Sequence, residues 1–420
     1  LEKILIHFNS LIIALVSMAS AILCFVLYRY SLKVKDKGGG IFYIPARKST
    51  TDAVQFGGVP LALAIITSWL FFGQFGPSFM GLHKSIASIL FFAIAPGMII
   101  TLYGYLDDKY ELRPIIKLFA QFLAINLFAI FVSRYLLPTF STISFLVVSF
   151  FGLAAVNGQN LLDGLDTITV KVASISLLQF VFLGLFYNIE SVTTISIVCL
   201  IPLFVFYFYN REPAKIHLGE VGGAFIGFTL VVLACIFHRE MIMVEHPDKR
   251  LQIFFQSLLP ISLPVIELGV SFLRRLLNSK SPFQGDRFHL HHILKNYKKL
   301  TATQASNFIS VFYLFVSGFC SFIAVNVNAI LGAFLAYTSI TLMNFYLGKD
   351  YWFSKETLDL SARSIFQFIR KKDVMIIETS IIDEFKITIV EEEPKRSGGG
   401  ESNLDSELNN LSKKDKNTGS

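Results

Sequence analysis

Charge is scarce in this chain. Asp, Glu, Lys and Arg make up 16% of its 420 residues, against 53% hydrophobic, whereas a soluble domain carries about 25% charged residues. That balance excludes an ordinary soluble domain and leaves a polytopic membrane protein. The four cysteines (Cys24, Cys199, Cys235, Cys320) each fall inside an apolar run. They are too scattered for a thiolate metal site or a disulfide framework and read as small buried hydrophobes. No small-residue cleavage signature follows the first apolar run, which therefore reads as a span and not as a signal peptide. No repeat links the two halves, which argues against an inverted-repeat transporter. What the chain has in excess is Phe, 43 residues of it, suited to lipid-facing surfaces.

Apolar stretches of about twenty residues predict eleven spans. They lie near 4–30, 57–76, 86–106, 118–137, 140–156, 169–187, 191–209, 221–238, 251–273, 303–324 and 327–347. Only "VN" separates the last two. Pro260 and Pro264 predict a kink in the ninth. The odd-numbered connections hold 17 Lys and Arg and the even-numbered ones 4. The positive-inside rule then puts the odd loops and the C-terminus in the cytoplasm and the N-terminus outside. The expected fold class is an all-α integral membrane protein with about eleven transmembrane helices, built from residues 1–348. Beyond it, "DVMIIETSIIDEFKITIVEEE" (373–393) alternates enough to predict one or two strands in a small cytoplasmic appendage, 349–396. Residues 397–420, rich in Ser, Gly, Asn and Lys, predict a disordered tail.

Nearly all Asp, Asn, Gly and His clusters sit in the same odd loops. Polar groups gathered at one face fit a site assembled there better than a transport path through mid-membrane. "YGYLDDKYELRP" (103–114) ends a span in Asp107 and Asp108, although acid at a helix C-terminus opposes the dipole. The alternative is a solvated turn with Lys109 or Arg113 as counter-cation. "NGQNLLDGLDTITV" (157–170) places Asn157, Asn160, Asp163 and Asp166 three residues apart. A regular helix would fan these over half a turn. Gly158 and Gly164 favour a broken segment that converges the oxygens, with a plain turn between spans as the alternative. "HLGEVGGAFIGF" (217–228) offers Glu220 where the eighth span begins; a helix-start acid is the competing explanation. "GDRFHLHHIL" (285–294) carries Arg287, His289, His291 and His292. Their spacing suits no zinc framework, whereas imidazoles beside Arg suit a phosphate or nucleotide. An ordinary basic loop would leave the histidines unexplained. Clustered carboxylates for a hard cation such as Mg²⁺, facing a cationic patch, are what phosphoryl transfer requires. The membrane setting points to a lipid substrate.

In order and spacing, "LDDKYELRPIIKLFAQ", "NGQNLLDGLD", "HLGEVGG" and "DRFHLHH" resemble the signatures of the polyprenyl-phosphate N-acetylhexosamine-1-phosphate transferases, over roughly residues 40–300. The resemblance implies ten or eleven spans and transfer of a HexNAc-1-phosphate from a UDP-sugar to a polyprenyl phosphate, with Mg²⁺ as cofactor (Mn²⁺ as a substitute) and UMP as product. It implies Asp107 and Asp108 as catalytic residues at the lipid phosphate, and Lys117 as a ligand of that phosphate. Asn157, Asn160, Arg287, His289, His291 and His292 would bind substrate; Asp163, Asp166 and Glu220 would hold the metal. "DRFHLHH" is similar to the N-acetylglucosamine-type branch and not to the three consecutive histidines of the muramoyl-pentapeptide branch. The expected partners are polyprenyl phosphate, UDP-HexNAc, the membrane and a second copy in a homodimer, with no nucleic acid. The expected location is the inner cell membrane.

Three departures stand out. "LGE" replaces the family's Leu-Gly-Asp, "DGLDTI" replaces DGxDGL, and "RKSTTDAVQFGG" keeps Arg47, Gly57 and Gly58 but lacks the family's His and Pro. They leave room for a second reading, a non-catalytic relative that binds the lipid or scaffolds a glycan machinery.

Overall fold

The computed structural model describes residues 2–35, 44–45, 53–79, 81–136, 141–244, 247–278, 281 and 288–352. The chain divides into units Leu1–Ser361 and Ala362–Ser420. The second unit lies outside the described residues, as do the predicted strands of 373–393 and the tail.

The described part is helical: α1 (Glu2–Lys35), α2 (Gly58–Phe79), α3 (Lys84–Tyr110), α4 (Pro114–Leu136), α5 (Ser141–Leu162), α6 (Ile168–Phe186), α7 (Glu190–Asn210), α8 (Gly219–Val244), α9 (Arg250–Leu258), α10 (Ser262–Leu277), the single turn α11 (Leu290–His292), α12 (Ala302–Asn326) and α13 (Ala329–Trp352). Eleven segments are long and apolar enough to cross a membrane, α9 and α10 counting as one, and they match the eleven predicted. Only Val327 and Asn328 separate α12 from α13, a connection of the expected two residues placed two positions later than the expected 325–326.

The ninth span breaks where its prolines stand. A 3-10 turn, Leu259–Ile261, joins α9 to α10. Pro264 has no N–H to offer the carbonyl of Pro260 four residues back. The Tyr313 hydroxyl of α12 donates to that carbonyl at 3.0 Å, and Ser176 of α6 lies 3.1 Å from the same hydroxyl. A buried carbonyl left open by proline is thus satisfied by a neighbouring helix, the condition for breaking a helix at this depth.

Helix α8 is the axis of the bundle. The most apolar stretch of this span is wholly buried, and it packs against α2 through α7 and α9. A helix apolar on every side demands this central place. Trp69 of α2 stacks on Phe225 at 5.7 Å, and Phe128 of α4 meets Phe228 edge-on at 5.3 Å. Large apolar side chains on the outer helices, Phe150 and Phe315 among them, point outward, as a surface solvated by lipid requires.

Two short parallel strands, β1 (Val54–Gln55) and β2 (Ile216–His217), pair just before α2 and α8. The Gly57 and Gly58 N–H groups donate to the carbonyls of His217 and Leu218 at 2.9 and 2.8 Å. The pairing sets the N-termini of α2 and α8 side by side.

One local expectation fails. Gly158 does not break the Asn/Asp segment: α5 runs through it to Leu162 and gives way to turns at 163–167. The helix survives because the missing side chain lets α5 press against α10. A Cβ on Gly158 would run into the carbonyl of Pro264. Asn157 and Asn160 are therefore helical, and only Asp163 and Asp166 lie in turns.

Candidate functional site

The two aspartates occupy the last turn of α3, and both are buried. After them Glu111 adopts a left-handed φ of 57°, its N–H bonded to the Asp107 carbonyl at 2.8 Å. The chain turns, and Pro114 opens α4, where a missing N–H costs nothing. One turn into α4, Lys117 Nζ lies 2.6 Å from Asp107 Oδ2 and 3.8 Å from Glu220 Oε2. Asp107 Oδ1 accepts the Leu112 N–H at 2.7 Å.

Asp108 turns toward α8. Its Oδ1 accepts the Glu220 N–H at 2.9 Å and the Gln55 side-chain amide at 2.6 Å, and its Oδ2 lies 3.5 Å from the Val221 N–H. The carboxylate thus sits on the positive end of the α8 dipole, which offsets its unfavourable place at the C-terminus of α3. The approach needs Gly219, whose φ is +76° and whose Cβ, if present, would lie 2.5 Å from Asp108 Oδ2. Any other residue would be strained there and would push the aspartate away.

Glu220 connects this pair to the Asn/Asp segment. Its Oε1 accepts the Asn160 side-chain amide at 2.8 Å. Gly223, one turn on in α8, lets Asn160 pack close: a Cβ would meet Asn160 Oδ1 at 2.6 Å. Asn157 bonds back into its own helix, donating to the Leu153 carbonyl at 2.9 Å. Asp163 accepts the Thr169 hydroxyl at 3.0 Å. Burial, with smaller contributions from the negative charges of Glu220 and Asp166, pushes the Asp163 carboxyl up to about 7. Asp166 accepts the Ala214 N–H at 3.2 Å and lies 3.7 Å from His217 Nδ1. Burial depresses the pKa of His217 despite that aspartate.

The histidine segment closes on the same loop. A Cβ on Gly164 would strike the ring of His291, so the two motifs touch where glycine leaves room. His291 is 1% exposed, and among the described residues neither of its ring nitrogens has a hydrogen-bond partner. Burial, helped by His292, His289 and Lys295, holds its pKa well below the usual histidine value, and the ring is neutral. His289 stacks parallel to it with centroids 5.9 Å apart, and the half-buried His292 lies 4.2 Å from His291. Arg287 and Arg47 lie outside the described residues.

The assembly brings together Asp107, Asp108, Lys117, Asn160 and Glu220 by direct contacts, and His291 with the Asp163 turn through Gly164. It does not gather Asp163, Asp166 and Glu220 into one coordination sphere. Among the described residues no three His, Cys, Asp or Glu side chains are grouped to hold a metal ion. The donor chemistry still suits a hard cation, because the carboxyls are oxygen ligands.

Sequence reasoning missed Gln55, which reaches Asp108 from β1, and Glu267 of α10. Glu267 is 1% exposed and accepts the Leu290 N–H at 3.1 Å. An acid inside a predicted span was the available signal, because such residues are costly unless they serve a site. Gln55 offered none, since its role depends on a strand pairing across 162 positions of sequence, Gln55 to His217.

Residues 89–238 match the family described as Glycosyl transferase family 4, a segment that holds every candidate above from Asp107 to Glu220. A relative in Bacillus subtilis strain 168, named a probable undecaprenyl-phosphate N-acetylglucosaminyl 1-phosphate transferase, is 27% identical over 54% of this chain and 63% of its own length. A phospho-N-acetylmuramoyl-pentapeptide-transferase of Limosilactobacillus fermentum is 28% identical over 42% of this chain and 59% of its own. An undecaprenyl-phosphate alpha-N-acetylglucosaminyl 1-phosphate transferase of Thermotoga maritima is 29% identical over 46% and 57%. The chain thus spans less than two thirds of the length of each. Three of the four ordered motifs thus meet in one hydrogen-bonded cluster, the histidine motif touches it through Gly164, and residues 89–238 are similar to glycosyl transferase family 4.

Proposed function

We propose that the chain transfers a HexNAc-1-phosphate, of the GlcNAc type, from a UDP-sugar to a polyprenyl phosphate. It does so at the cytoplasmic face of the inner membrane, releasing UMP and starting a lipid-linked cell-envelope glycan. The observation that carries this reading is the junction at Glu220. There the α3 aspartates, the α4 lysine and the α5 asparagine, from three separate motifs, converge on the first turn of α8. The names of the relatives support the class of reaction, and the "DRFHLHH" spacing favours the GlcNAc branch.

The residues divide the work. Lys117 draws in the lipid phosphate by its charge, and Asp107, paired to that lysine, takes the proton of the phosphate when it carries one. An oxygen of the lipid phosphate then attacks the β-phosphorus of the UDP-sugar. The bond from that phosphorus to the bridging oxygen breaks, and UMP leaves with the electron pair. Asp108 holds α8 and α3 in register so that Asp107 and Glu220 face one space. His291, neutral and without a hydrogen-bond partner among the described residues, offers a donor and an acceptor nitrogen to the nucleotide-sugar. Mg²⁺, when bound, would neutralise charge on the diphosphate, with Glu220 or the Asp163 turn supplying oxygen ligands beside those of the substrate.

The test is UMP release by purified protein supplied with undecaprenyl phosphate, Mg²⁺ and a panel of UDP-HexNAc donors. Turnover with UDP-GlcNAc supports the reading. Folded protein that releases no UMP from any donor would replace it with the lipid-binding relative.

A further inference from the structure

His289 is held from behind. Its Nδ1 lies 3.1 Å from Ser271 Oγ and 3.5 Å from Glu267 Oε1. Both side chains come from α10, one turn apart. Glu267 is a buried carboxylate and accepts only; the same oxygen takes the Leu290 N–H at 3.1 Å. Ser271 Oγ receives the Arg274 guanidinium N–H at 3.4 Å, and its hydroxyl can accept from or donate to the ring. The carboxylate oxygen is therefore the group that selects the tautomer. A bare Nδ1 lone pair there would be repelled by the carboxylate, whereas an Nδ1–H is attracted. Which nitrogen of a histidine exchanges a proton is set by the hydrogen bond that the other one makes.

We infer that Glu267, seconded by Ser271, is a positioning residue: it holds the proton of His289 on Nδ1, so that Nε2 is the nitrogen through which this ring meets the UDP-sugar. The inference rests on reading the histidine segment as the UDP-sugar site. The same carboxylate anchors the first N–H of α11, so one residue fixes both the tautomer of His289 and the start of the turn that carries His291 and His292. The stacking of His289 on His291 passes that orientation to the second ring.

The experiment joins a spectroscopic arm to a kinetic one. Protein labelled with ¹⁵N-histidine is compared by long-range proton–nitrogen NMR as wild type, Glu267→Gln and Ser271→Ala, with His289→Gln assigning the signal. Wild type should show the Nδ1–H tautomer for His289, and Glu267→Gln should lose or mix it. In the assay, Glu267→Gln should raise KM for UDP-GlcNAc roughly 10-fold, with KM for undecaprenyl phosphate unchanged and Glu267→Asp recovering part of the loss. On a His289→Gln background, Glu267→Gln should add nothing further. An Nε2–H tautomer in wild type overturns the inference. So does an undiminished loss from Glu267→Gln when His289 is already gone, which would make Glu267 only a helix anchor. Wild type that releases no UMP would sink the proposed function, while the NMR arm still decides the role of Glu267.

Discussion

The Asp108 carboxylate accepts the backbone N–H of Glu220 at 2.9 Å, so the end of α3 caps the beginning of α8. Two adjacent acids at a helix C-terminus are unfavourable only while that helix is considered alone. In the bundle, Asp108 lies on the positive pole of another helix, and Asp107 beside an ammonium.

The two aspartates should therefore separate experimentally. Asp108→Ala should destabilise the protein by about 1–2 kcal/mol, the value of a lost helix cap, besides lowering activity. Asp107→Asn should leave the melting temperature near wild type and reduce turnover roughly 10²–10³-fold, the scale for losing one charge-stabilising group. Thermal unfolding in detergent beside UMP release distinguishes them. Wild-type turnover in Asp107→Asn would return that residue to a structural turn.

Lys117 should act on lipid binding first. It stands between Asp107 and Glu220, so Lys117→Met removes the cation and leaves two carboxylates facing one another. The expected result is a rise of at least about 10-fold in KM for undecaprenyl phosphate, with KM for the UDP-sugar less affected, on the scale of one charge-assisted contact. An effect confined to the UDP-sugar would move Lys117 to the other substrate.

Glu220 carries the departure from the family's aspartate. Its longer side chain spans the distance to Asn160, so Glu220→Asp should loosen that contact and alter the Mg²⁺ requirement while keeping some turnover. Glu220→Gln should abolish metal-dependent turnover. A Mg²⁺ and Mn²⁺ titration of UMP release reads both variants. Full activity and an unchanged metal midpoint in Glu220→Gln would confine Glu220 to starting α8.

Stability should fall in mild acid, and His291 should cause part of the fall. Its folded pKa is depressed by burial and by His292, His289 and Lys295, while the unfolded chain titrates near the ordinary 6.5. Below that value the unfolded state binds a proton that the folded state refuses, so stability present above it is lost as pH falls. The limit is about 1.4 kcal/mol per pH unit for one proton. His291→Gln should flatten melting temperature against pH between about 6.5 and 5. An equally steep profile in the variant would assign the acid sensitivity elsewhere.

Orientation can be read with a single probe. All four native cysteines are buried, so a Lys298→Cys variant should be the one that reacts with a membrane-impermeant maleimide, and only in inside-out vesicles. The lysine and arginine asymmetry motivates this. Labelling of intact cells would reverse the topology and with it the cytoplasmic site.

The eleven spans, the proline break in the ninth and the grouping of polar motifs on one side were all legible in the sequence. Each depends on a local quantity: the length of an apolar run, a missing N–H, or the identity of the residues in one loop. The candidates Asp107, Asp108, Asn160, Asp163 and Glu220 were legible for the same reason, since ionisable groups beside apolar runs are conspicuous. Tertiary structure alone decided which of them touch. Asp108 stabilises α8 only because α3 crosses its N-terminus. Gly158 stays helical because α10 needs the space, and Glu267 meets His289 only once α10 packs beside the histidine segment. Composition marks which residues are costly to bury; only the packing of distant helices determines which partner offsets that cost.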